Sequence, residues 1–253
     1  MKKILLGILG LFLSISLMGI DEAISQEIHP IMHPDRDTHL RWIKNYETAP
    51  KAPLDAQMQL SLTQAADLGV GTPLSLLNYL QYTPSQRNQG MCGNCWVWAG
   101  TGMMEIALNV QNGIKDRLSI QFLDSCKTDS FACNGGDLTE LATWYGLEGY
   151  AVPWSNVNAF YQDSSGPVVS SPVSCSTIST TPEYPFTPFS ISSQTAQTIP
   201  TTGVGQATAI VNIKNILNQN KGVWFGFWLA NTTDWNSFHN FWSTQPETAV
   251  WVP

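Results

Sequence analysis

The sequence has few charged residues, and positive charge is especially scarce. Only 12% of its 253 residues are charged, and the formal net charge is −7. Proteins that bind nucleic acid or anionic membrane surfaces use clustered Lys and Arg side chains, and no such basic patch is present. We therefore expect neither kind of partner. The 43% hydrophobic content, with 10 Trp and 10 Phe, is enough for the core of a globular protein.

Long apolar runs are also lacking, except at the N-terminus. Met1, Lys2 and Lys3 precede an apolar stretch from Ile4 to Ile20. This order is typical of a secretory signal peptide, so we assign residues 1–20 to one, with an uncleaved membrane anchor as the alternative. We expect the protein to be secreted or to lie at the exterior of the cell envelope, with no membrane contact beyond this segment.

Residues 89–96, Q-G-M-C-G-N-C-W, place a thiol where a helix is expected to begin. Asn94 is a good N-cap residue, and apolar residues then recur at helical spacing until Gly113 offers a stop. This pattern predicts a helix from about Cys95 to Asn112. The dipole and unpaired N–H groups of a helix N-terminus lower the pKa of a nearby thiol and can hold an oxyanion, so Cys95 is a candidate nucleophile.

Three motifs resemble those of papain-like cysteine proteases. The octet matches the family pattern Q-G-x-C-G-S-C-W except that Asn94 replaces Ser. Residues 118–126, L-S-I-Q-F-L-D-S-C, resemble the family's L-S-E-Q-x-L-x-D-C, and residues 132–136, A-C-N-G-G, resemble its G-C-N-G-G. The motifs follow the family's order at plausible spacing, which makes the resemblance specific.

The resemblance implies a role for each candidate site residue. Cys95 would be the nucleophile, and Gln89 would supply the side-chain donor that joins the Cys95 N–H in the oxyanion hole. Gly136 would pair its backbone with the substrate. The lack of side chains at Gly135 and Gly136 would also let an extended peptide hydrogen-bond there as an added strand. The expected partners are polypeptide substrates, and no cofactor or metal is predicted.

Five cysteines leave one unpaired after two disulfides, and export would permit disulfides to form. If Cys95 is free, the other four cysteines allow three connectivities. The resemblance implies that Cys92 pairs with Cys133 and that Cys126 pairs with Cys175. Each bridge would then close a loop of about 40 to 50 residues and contribute about 4 kcal/mol in the chain-entropy model.

Other interpretations of the cysteines belong to other protein classes. The C-G-N-C segment outlines a redox dithiol, and Cys92, Cys95, Cys126 and Cys133 could be drawn as four zinc ligands. A thioredoxin-like site should follow a buried strand, whereas residues 83–90 have the composition of a loop. A purely structural role for the cysteines leaves the neighbouring Gln and Trp of the octet unexplained.

Three histidines near two aspartates, all within the N-terminal segment, do not have metal-binding spacing. We interpret them as surface residues rather than ligands. They are His29, His33 and His39, with Asp35 and Asp37.

The organisation of the chain follows from the motifs. Residues 21–71 form an N-terminal extension that has the position of a propeptide, with a simple extension as the alternative. Residues 72–253 should form the protease-like domain, with a helical first half and a loop-rich middle. After the middle, we predict a short helix at 207–219 and a buried strand at 223–229. A second strand is predicted at 248–252.

The expected fold class is therefore α+β, a papain-like two-lobe fold with a helical left lobe and a β-barrel-like right lobe. The family pairs its cysteine with a later His, oriented by an Asn, and the sequence context of this pair is not found. His239 has suitable spacing, but we interpret it as a partly exposed residue in an aromatic turn. We thus expect that the C-terminal part of the domain is missing and that this chain alone is inactive.

Together these patterns predict an exported cysteine-type endopeptidase that forms an acyl-enzyme on Cys95. The alternative is a non-catalytic relative or an inactive fragment whose cleft binds peptide. An oligomeric state is not predicted.

Overall fold

The computed structural model of the chain describes residues 32, 34–69, 74–81, 87–165, 170–186, 196–246, 249 and 251. The predicted signal segment at residues 1–20 lies outside this part. Most regular structure in the described residues is helical. The α-helices are α1 (Arg36–Thr48), α2 (Ala56–Asp67), α3 (Cys95–Asn112), α4 (Ile120–Cys126), α5 (Leu138–Glu148), α6 (Gln206–Asn218) and α7 (Thr232–Thr244).

The chain divides into two units between Val223 and Trp224. The first unit carries helices α1 to α6, and the second carries α7. Single-turn 3₁₀ helices lie at Leu77–Tyr79, Ala132–Asn134, Asp163–Ser165 and Cys175–Thr177, all of them in the first unit.

Helices α3, α4 and α5 surround the core of the first unit. Trp96 and Val97 on α3, Leu123 on α4 and Tyr145 on α5 have at most 1% of their surface exposed. Aromatic contacts extend this core, since the ring of Phe122 packs edge-on against Trp144 at 5.1 Å between centroids. Helix α3 therefore begins at the protein surface and continues into the interior.

Two N-terminal helices are tied to the rest of the first unit by polar contacts. Asp35 caps α1 and Asp55 caps α2, because each side chain accepts a backbone N–H in the first turn. Helix α2 packs on α6, where Asn215 Nδ2 donates to the Asp55 carbonyl at 2.8 Å and to Gln59 Oε1 at 2.9 Å. A buried amide thus connects the two helices.

The β-structure of the described residues is limited to one short pair and two isolated bridges. Strands β1 (Tyr150–Ala151) and β2 (Tyr184–Pro185) pair antiparallel, with Tyr150 opposite Pro185. The bridges join Lys51 to Thr198 and Leu118 to Pro153. The helical half of the expected α+β fold is present, whereas a barrel-like lobe is not seen in this part of the chain.

The loop-rich middle follows β1 and is held by polar contacts. Asn156, which is 8% exposed, donates through Nδ2 to the carbonyls of Ser179 at 2.9 Å and Pro182 at 2.7 Å. The buried Asn156 amide thus bonds backbone carbonyls of this segment, for which the described part of the chain offers no β-strand partner.

The second unit is an aromatic cluster around α7. Phe238 on α7 packs edge-on against Phe227 at 5.0 Å and against Trp251 at 5.3 Å between ring centroids. The prediction of a buried strand at 223–229 is wrong: this segment has no regular structure, and Phe225 is 79% exposed. A strand needs a hydrogen-bonded neighbour, and the apolar run finds none among the described residues. Most of the second predicted strand, 248–252, lies outside them.

The other helix predictions agree well with the structure. Helix α3 spans Cys95–Asn112 and ends at Gly113, which adopts the left-handed conformation with φ 68°. Helix α6 differs from the predicted 207–219 by one residue at each end. Among the helices that the structure describes, none is long and apolar enough to cross a bilayer.

Candidate functional site

The site is built around the first turn of α3. Cys95 is the first residue of this helix, and its thiol is free and exposed to solvent. The carbonyl of Asn94 accepts the N–H groups of Val97 at 2.8 Å and Trp98 at 3.2 Å. These bonds fix the turn and leave the N–H groups of Cys95 and Trp96 directed at the thiol.

The expectation of a lowered thiol pKa is not met. Partial desolvation raises the pKa of the Cys95 thiol above its ordinary value, although the residue is exposed, and hydrogen bonds from the N–H groups of Trp96 and Cys95 lower it by less. The helix terminus acts in the expected direction, but desolvation of the charged form outweighs it. Attack at neutral pH therefore needs a base that removes the thiol proton.

Gln89 lies in the loop that leads to Cys95. Its side-chain Nε2 donates to the Cys92 carbonyl at 2.8 Å, which occupies one of the two N–H groups of the amide. The hydroxyl of Tyr161 donates to the Gln89 carbonyl at 2.7 Å, and the N–H of Met91 donates to the Ser164 carbonyl at 3.0 Å. These two hydrogen bonds hold the Gln89 loop against residues 161–164.

A buried ion pair holds the same loop against α3. Arg87 Nη2 lies 2.8 Å from Glu105 Oε2, and the two side chains are 16% and 2% exposed. The other Glu105 oxygen accepts the N–H of Leu118 at 3.0 Å. Burial raises the pKa of Glu105, while Arg87 and the Leu118 N–H lower it. The Gln89 loop is therefore also anchored at Arg87, two residues before Gln89.

Asn94 occupies the N-cap position, but its side chain does not cap α3, contrary to prediction. The Asn94 side chain is fully buried, and its Nδ2 donates to Asp124 Oδ2 at 2.6 Å. A long-range partner therefore takes the place of the local capping bond. The quoted family pattern has Ser at this position, and a Ser side chain lacks the Nδ2 that donates to Asp124 here.

The disulfide pairing implied by the resemblance is confirmed. Cys92 is bonded to Cys133, Cys126 is bonded to Cys175, and Cys95 is free. The redox interpretation is therefore wrong, because Cys92 pairs with a residue 41 positions away rather than with Cys95. The zinc interpretation fails for the same reason, since bonded sulfurs do not bind the metal as thiolates.

A group of possible ligand atoms formed by Cys92, Cys133 and Asp124 lies within 4.8 Å. Its two sulfurs are those of the first disulfide, so it does not make a metal site.

The glycine segment faces aromatic side chains. A Cβ built at Gly136 would lie 2.5 Å from Cε2 of Trp96, whose indole N–H donates to the Ala132 carbonyl at 3.0 Å. A Cβ built at Gly135 would lie 3.0 Å from Cη2 of Trp42 and 3.1 Å from the sulfur of Met32. Both positions are crowded, and the second is crowded by the N-terminal extension.

Helix α1 of the extension also bonds to the start of α5. Asn45 Nδ2 donates to Asp137 Oδ2 at 2.8 Å, and the indole N–H of Trp42 donates to Glu140 Oε1 at 3.2 Å. Arg41 makes an exposed ion pair with the same Glu140 oxygen at 3.4 Å. The extension is therefore docked beside the glycine segment.

The structure describes two of the four histidines, His39 and His239. His39 is half-buried on α1, and His29 and His33 lie outside the described residues. His239 lies on α7 in the second unit, with its ring 6.0 Å from that of Trp235. It is half-buried on a helix rather than placed in an aromatic turn, because the surrounding residues 232–244 are helical.

Three residues of this region are not predicted from the sequence: Asp124, Tyr161 and Asp163. Asp124 lies within a recognised motif, but its partners are 30 or more positions away, so no local spacing marks it. Tyr161 and Asp163 lie in the loop-rich middle, where composition gives no signal. Their connection to the Gln89 loop is visible only in three dimensions.

Comparison with known proteins agrees with the resemblance. The pattern of the "Papain family cysteine protease" family matches residues 80–217, more than half of the chain. Human cathepsin O is 33% identical over 64 residues, which are 25% of this chain and 20% of that protein. Mouse cathepsin K is 38% identical over 58 residues, which are 23% and 18%.

The alignments are short, so the chain spans about one fifth of the length of these curated relatives. Among solved structures, procathepsin L2 proteinase from the larval midgut of Tenebrio molitor shows 17% identity and a TM-score of 0.34, covering 62% of this chain and 45% of that one. On the match over residues 80–217, the chain belongs to the papain family of cysteine proteases.

Proposed function

We propose that the protein is an exported cysteine-type endopeptidase that hydrolyses peptide bonds through an acyl-enzyme on Cys95. The observation that carries the proposal is a single free, exposed thiol at the first residue of a helix, in a chain whose other four cysteines are bonded. Family membership supports the reaction class, and two disulfides support an oxidising compartment outside the cytosol.

In the proposed reaction, the Cys95 thiolate attacks the carbonyl carbon of the scissile bond. The oxyanion that forms accepts hydrogen bonds from the Cys95 N–H and from the Gln89 amide N–H that does not bond Cys92. The C–N bond then breaks, the leaving amine takes a proton, and water hydrolyses the thioester to regenerate the thiol. Each oxyanion donor contributes about 2.7–4 kcal/mol to such a step.

The proposed reaction also requires a base. Desolvation raises the thiol pKa, so an imidazole close to Cys95 is required to form the thiolate near neutral pH. A non-catalytic relative that binds peptide in the same cleft is the alternative. It predicts a Cys95 thiol that behaves like an ordinary, slightly desolvated cysteine.

Peptide hydrolysis by the full protein and by Cys95→Ala tests the proposal. We expect the variant to lose turnover completely while it folds and is exported normally. Gln89→Ala should keep the thiol but lower kcat by about 10²–10³. Turnover that survives in Cys95→Ala would rule out this nucleophile, and an inactive wild-type protein with a folded site would favour the non-catalytic alternative.

We further propose that residues 21–71 act as a propeptide that covers the peptide-binding edge. The contacts of Trp42 and Met32 with Gly135, and the bond from Asn45 to Asp137, support this role. A peptide that pairs with the backbone of Gly136 needs the space beside this segment.

Trp42→Ala should therefore increase the initial rate of peptide hydrolysis, because Trp42 is 6% exposed and fills the contact with Gly135. Leu60→Ala is a matched control on α2, since Leu60 is 61% exposed. An equal rate in wild type and Trp42→Ala would contradict the inhibitory role.

A further inference from the structure

Two carboxyl groups are buried together beneath the residue that precedes the nucleophile. Asp124 on α4 is 2% exposed, and Asp163, which begins a 3₁₀ turn, is 1% exposed. After burial, the nearby Asp163 carboxyl is the main influence that raises the pKa of Asp124, through its charge and as a side-chain hydrogen-bond partner. Buried acids are normally paired with cations, so a buried pair of acids requires an explanation.

The hydrogen bonds of the two acids differ. Asp124 Oδ2 accepts from Asn94 Nδ2 at 2.6 Å, whereas its Oδ1 is buried and receives no donor from the described residues. Asp163 accepts from Gln121 Nε2 at 3.1 Å and from Ser171 Oγ at 3.0 Å. Asp163 therefore already has two donors, and Asp124 has one oxygen without any.

Among the described residues whose groups act on Asp124, none carries a positive charge. Asp163 and the hydroxyls of Tyr145 on α5 and Tyr161 interact with Asp124 electrostatically, and the sulfurs of the Cys92–Cys133 disulfide lie within 4.8 Å of one of its carboxyl oxygens. Lys127, three positions further along the chain, is paired with Asp129 at 2.6 Å. Burial first, and the charge of Asp163 second, raise the pKa of Asp124 well above its ordinary range.

We propose that Asp124 is a positioning residue for the nucleophile: as a neutral acid it accepts from Asn94, directs its proton from Oδ1 to Asp163, and so fixes the residue before Cys95. The carbonyl of Asn94 accepts the first N–H groups of α3, so an Asn94 that is held in place holds the turn that carries the thiol. The positioning role of Asp124 in catalysis rests on the proposed function. The existence of a neutral acid pair between Asp124 and Asp163 does not depend on that function.

The pairing has a defined pH dependence. The folded-state pKa of Asp124 lies above its ordinary value of 3.8, so the folded protein holds a proton that the unfolded chain loses. The stabilisation is complete at acidic pH, below the ordinary value, and is lost progressively as the pH rises through the folded-state pKa. Asp124→Asn imitates the neutral acid, because its Oδ1 can accept from Asn94 and its Nδ2 can donate to Asp163.

Urea unfolding of the full chain from about pH 4 to about pH 8 tests the proposal. The folding constant of wild type should fall relative to that of Asp124→Asn by about tenfold per pH unit until the folded-state pKa is reached. Asp67→Asn, an exposed acid at the end of α2, should give a profile parallel to wild type. Parallel profiles for wild type and Asp124→Asn would show that Asp124 is ionised and overturn the proposal.

Infrared spectroscopy of the wild-type protein provides a second test that does not depend on how well the variant folds. A neutral buried carboxyl should give a protonated C=O stretch near neutral pH, and this band should titrate above the range of ordinary aspartates. Absence of the band would contradict the neutral pair.

The positioning role is tested by the alkylation rate of Cys95 with iodoacetamide. Asp124→Ala should change this rate, and Asp124→Asn should restore it to the wild-type value. An unchanged rate in Asp124→Ala would confine Asp124 to stability and overturn its positioning role. If the stability profiles differ as expected but Cys95→Ala retains turnover, the proposed function fails while the acid pair stands.

Discussion

The indole of Trp96 leaves no room for a side chain at Gly136: a Cβ there would lie 2.5 Å from Cε2 and 2.6 Å from Cζ2. Trp96 is 1% exposed and is held by its bond to the Ala132 carbonyl, so it cannot move aside cheaply. The residue after the nucleophile thus packs directly on the segment that is proposed to bind substrate.

Gly136→Ala should therefore destabilise the protein by about 1–3 kcal/mol, the usual cost of overpacking a core. Gly102→Ala on α3 is the matched control, because a Cβ there meets nothing within 4 Å. It should stabilise the helix by about 0.5–1 kcal/mol. Chemical denaturation of both variants checks this, and equal effects at the two positions would contradict the packing described for Trp96.

The two disulfides should differ in their effect on the site. Replacing either pair with Ser should cost about 2–4 kcal/mol, since each bridge closes a loop of similar length. The Cys92–Cys133 bridge also fixes the residue whose carbonyl accepts from Gln89, so its loss should change the alkylation rate of Cys95. Loss of Cys126–Cys175 should leave that rate unchanged, and equal effects of both would contradict this assignment.

Replacing only one residue of the Arg87–Glu105 ion pair should destabilise the protein more than replacing both. Arg87→Met leaves a buried carboxylate, and the expected loss of stability is about 3–5 kcal/mol. The double variant Arg87→Met with Glu105→Met should recover part of that loss, because the buried carboxylate is removed together with its partner. Recovery is not complete, since the buried Arg117 loses the attraction of Glu105 and the Leu118 N–H loses its acceptor. A double-mutant cycle in urea measures the coupling, and additive losses would show that the two side chains act independently.

The pH dependence of Cys95 alkylation follows from its surroundings. With desolvation as the dominant influence, the pKa of the thiol is raised, so the rate should keep rising above the pH at which a free cysteine levels off. If an imidazole supplies the base, the rate should already be high near neutral pH. Stopped-flow alkylation of wild type, with Cys95→Ala as the blank, distinguishes the two profiles.

Sequence patterns were most reliable where the determining interactions are local. The α3 helix is predicted to the residue because its apolar periodicity runs from Cys95 to a left-handed Gly113. The buried strand at 223–229 fails because an apolar run does not specify a partner for its hydrogen bonds. Local rules also misassign Asn94, since they cannot include a buried carboxylate 30 positions away.

In the candidate site, too, the features set by local sequence are predicted and those set by long-range contacts are not. The motifs predict Cys95, Gln89 and the glycine segment, and the disulfide pairing follows from the family resemblance. The helix N-terminus predicted from the sequence favours a lowered pKa for the Cys95 thiol, whereas the desolvation that raises this pKa depends on the packed structure. The acid pair beneath Asn94 depends on α4 meeting the loop-rich middle, which no spacing in the sequence reveals.

The most direct test of the central claim is the site of modification by a peptidyl epoxide, mapped by mass spectrometry on the natural full-length protein. The account predicts a single adduct on Cys95 that forms much faster than on free cysteine, with loss of peptide hydrolysis in proportion to labelling. Hydrolysis that continues after Cys95 is fully modified, or an adduct at another residue, would contradict the assignment of Cys95 as the nucleophile.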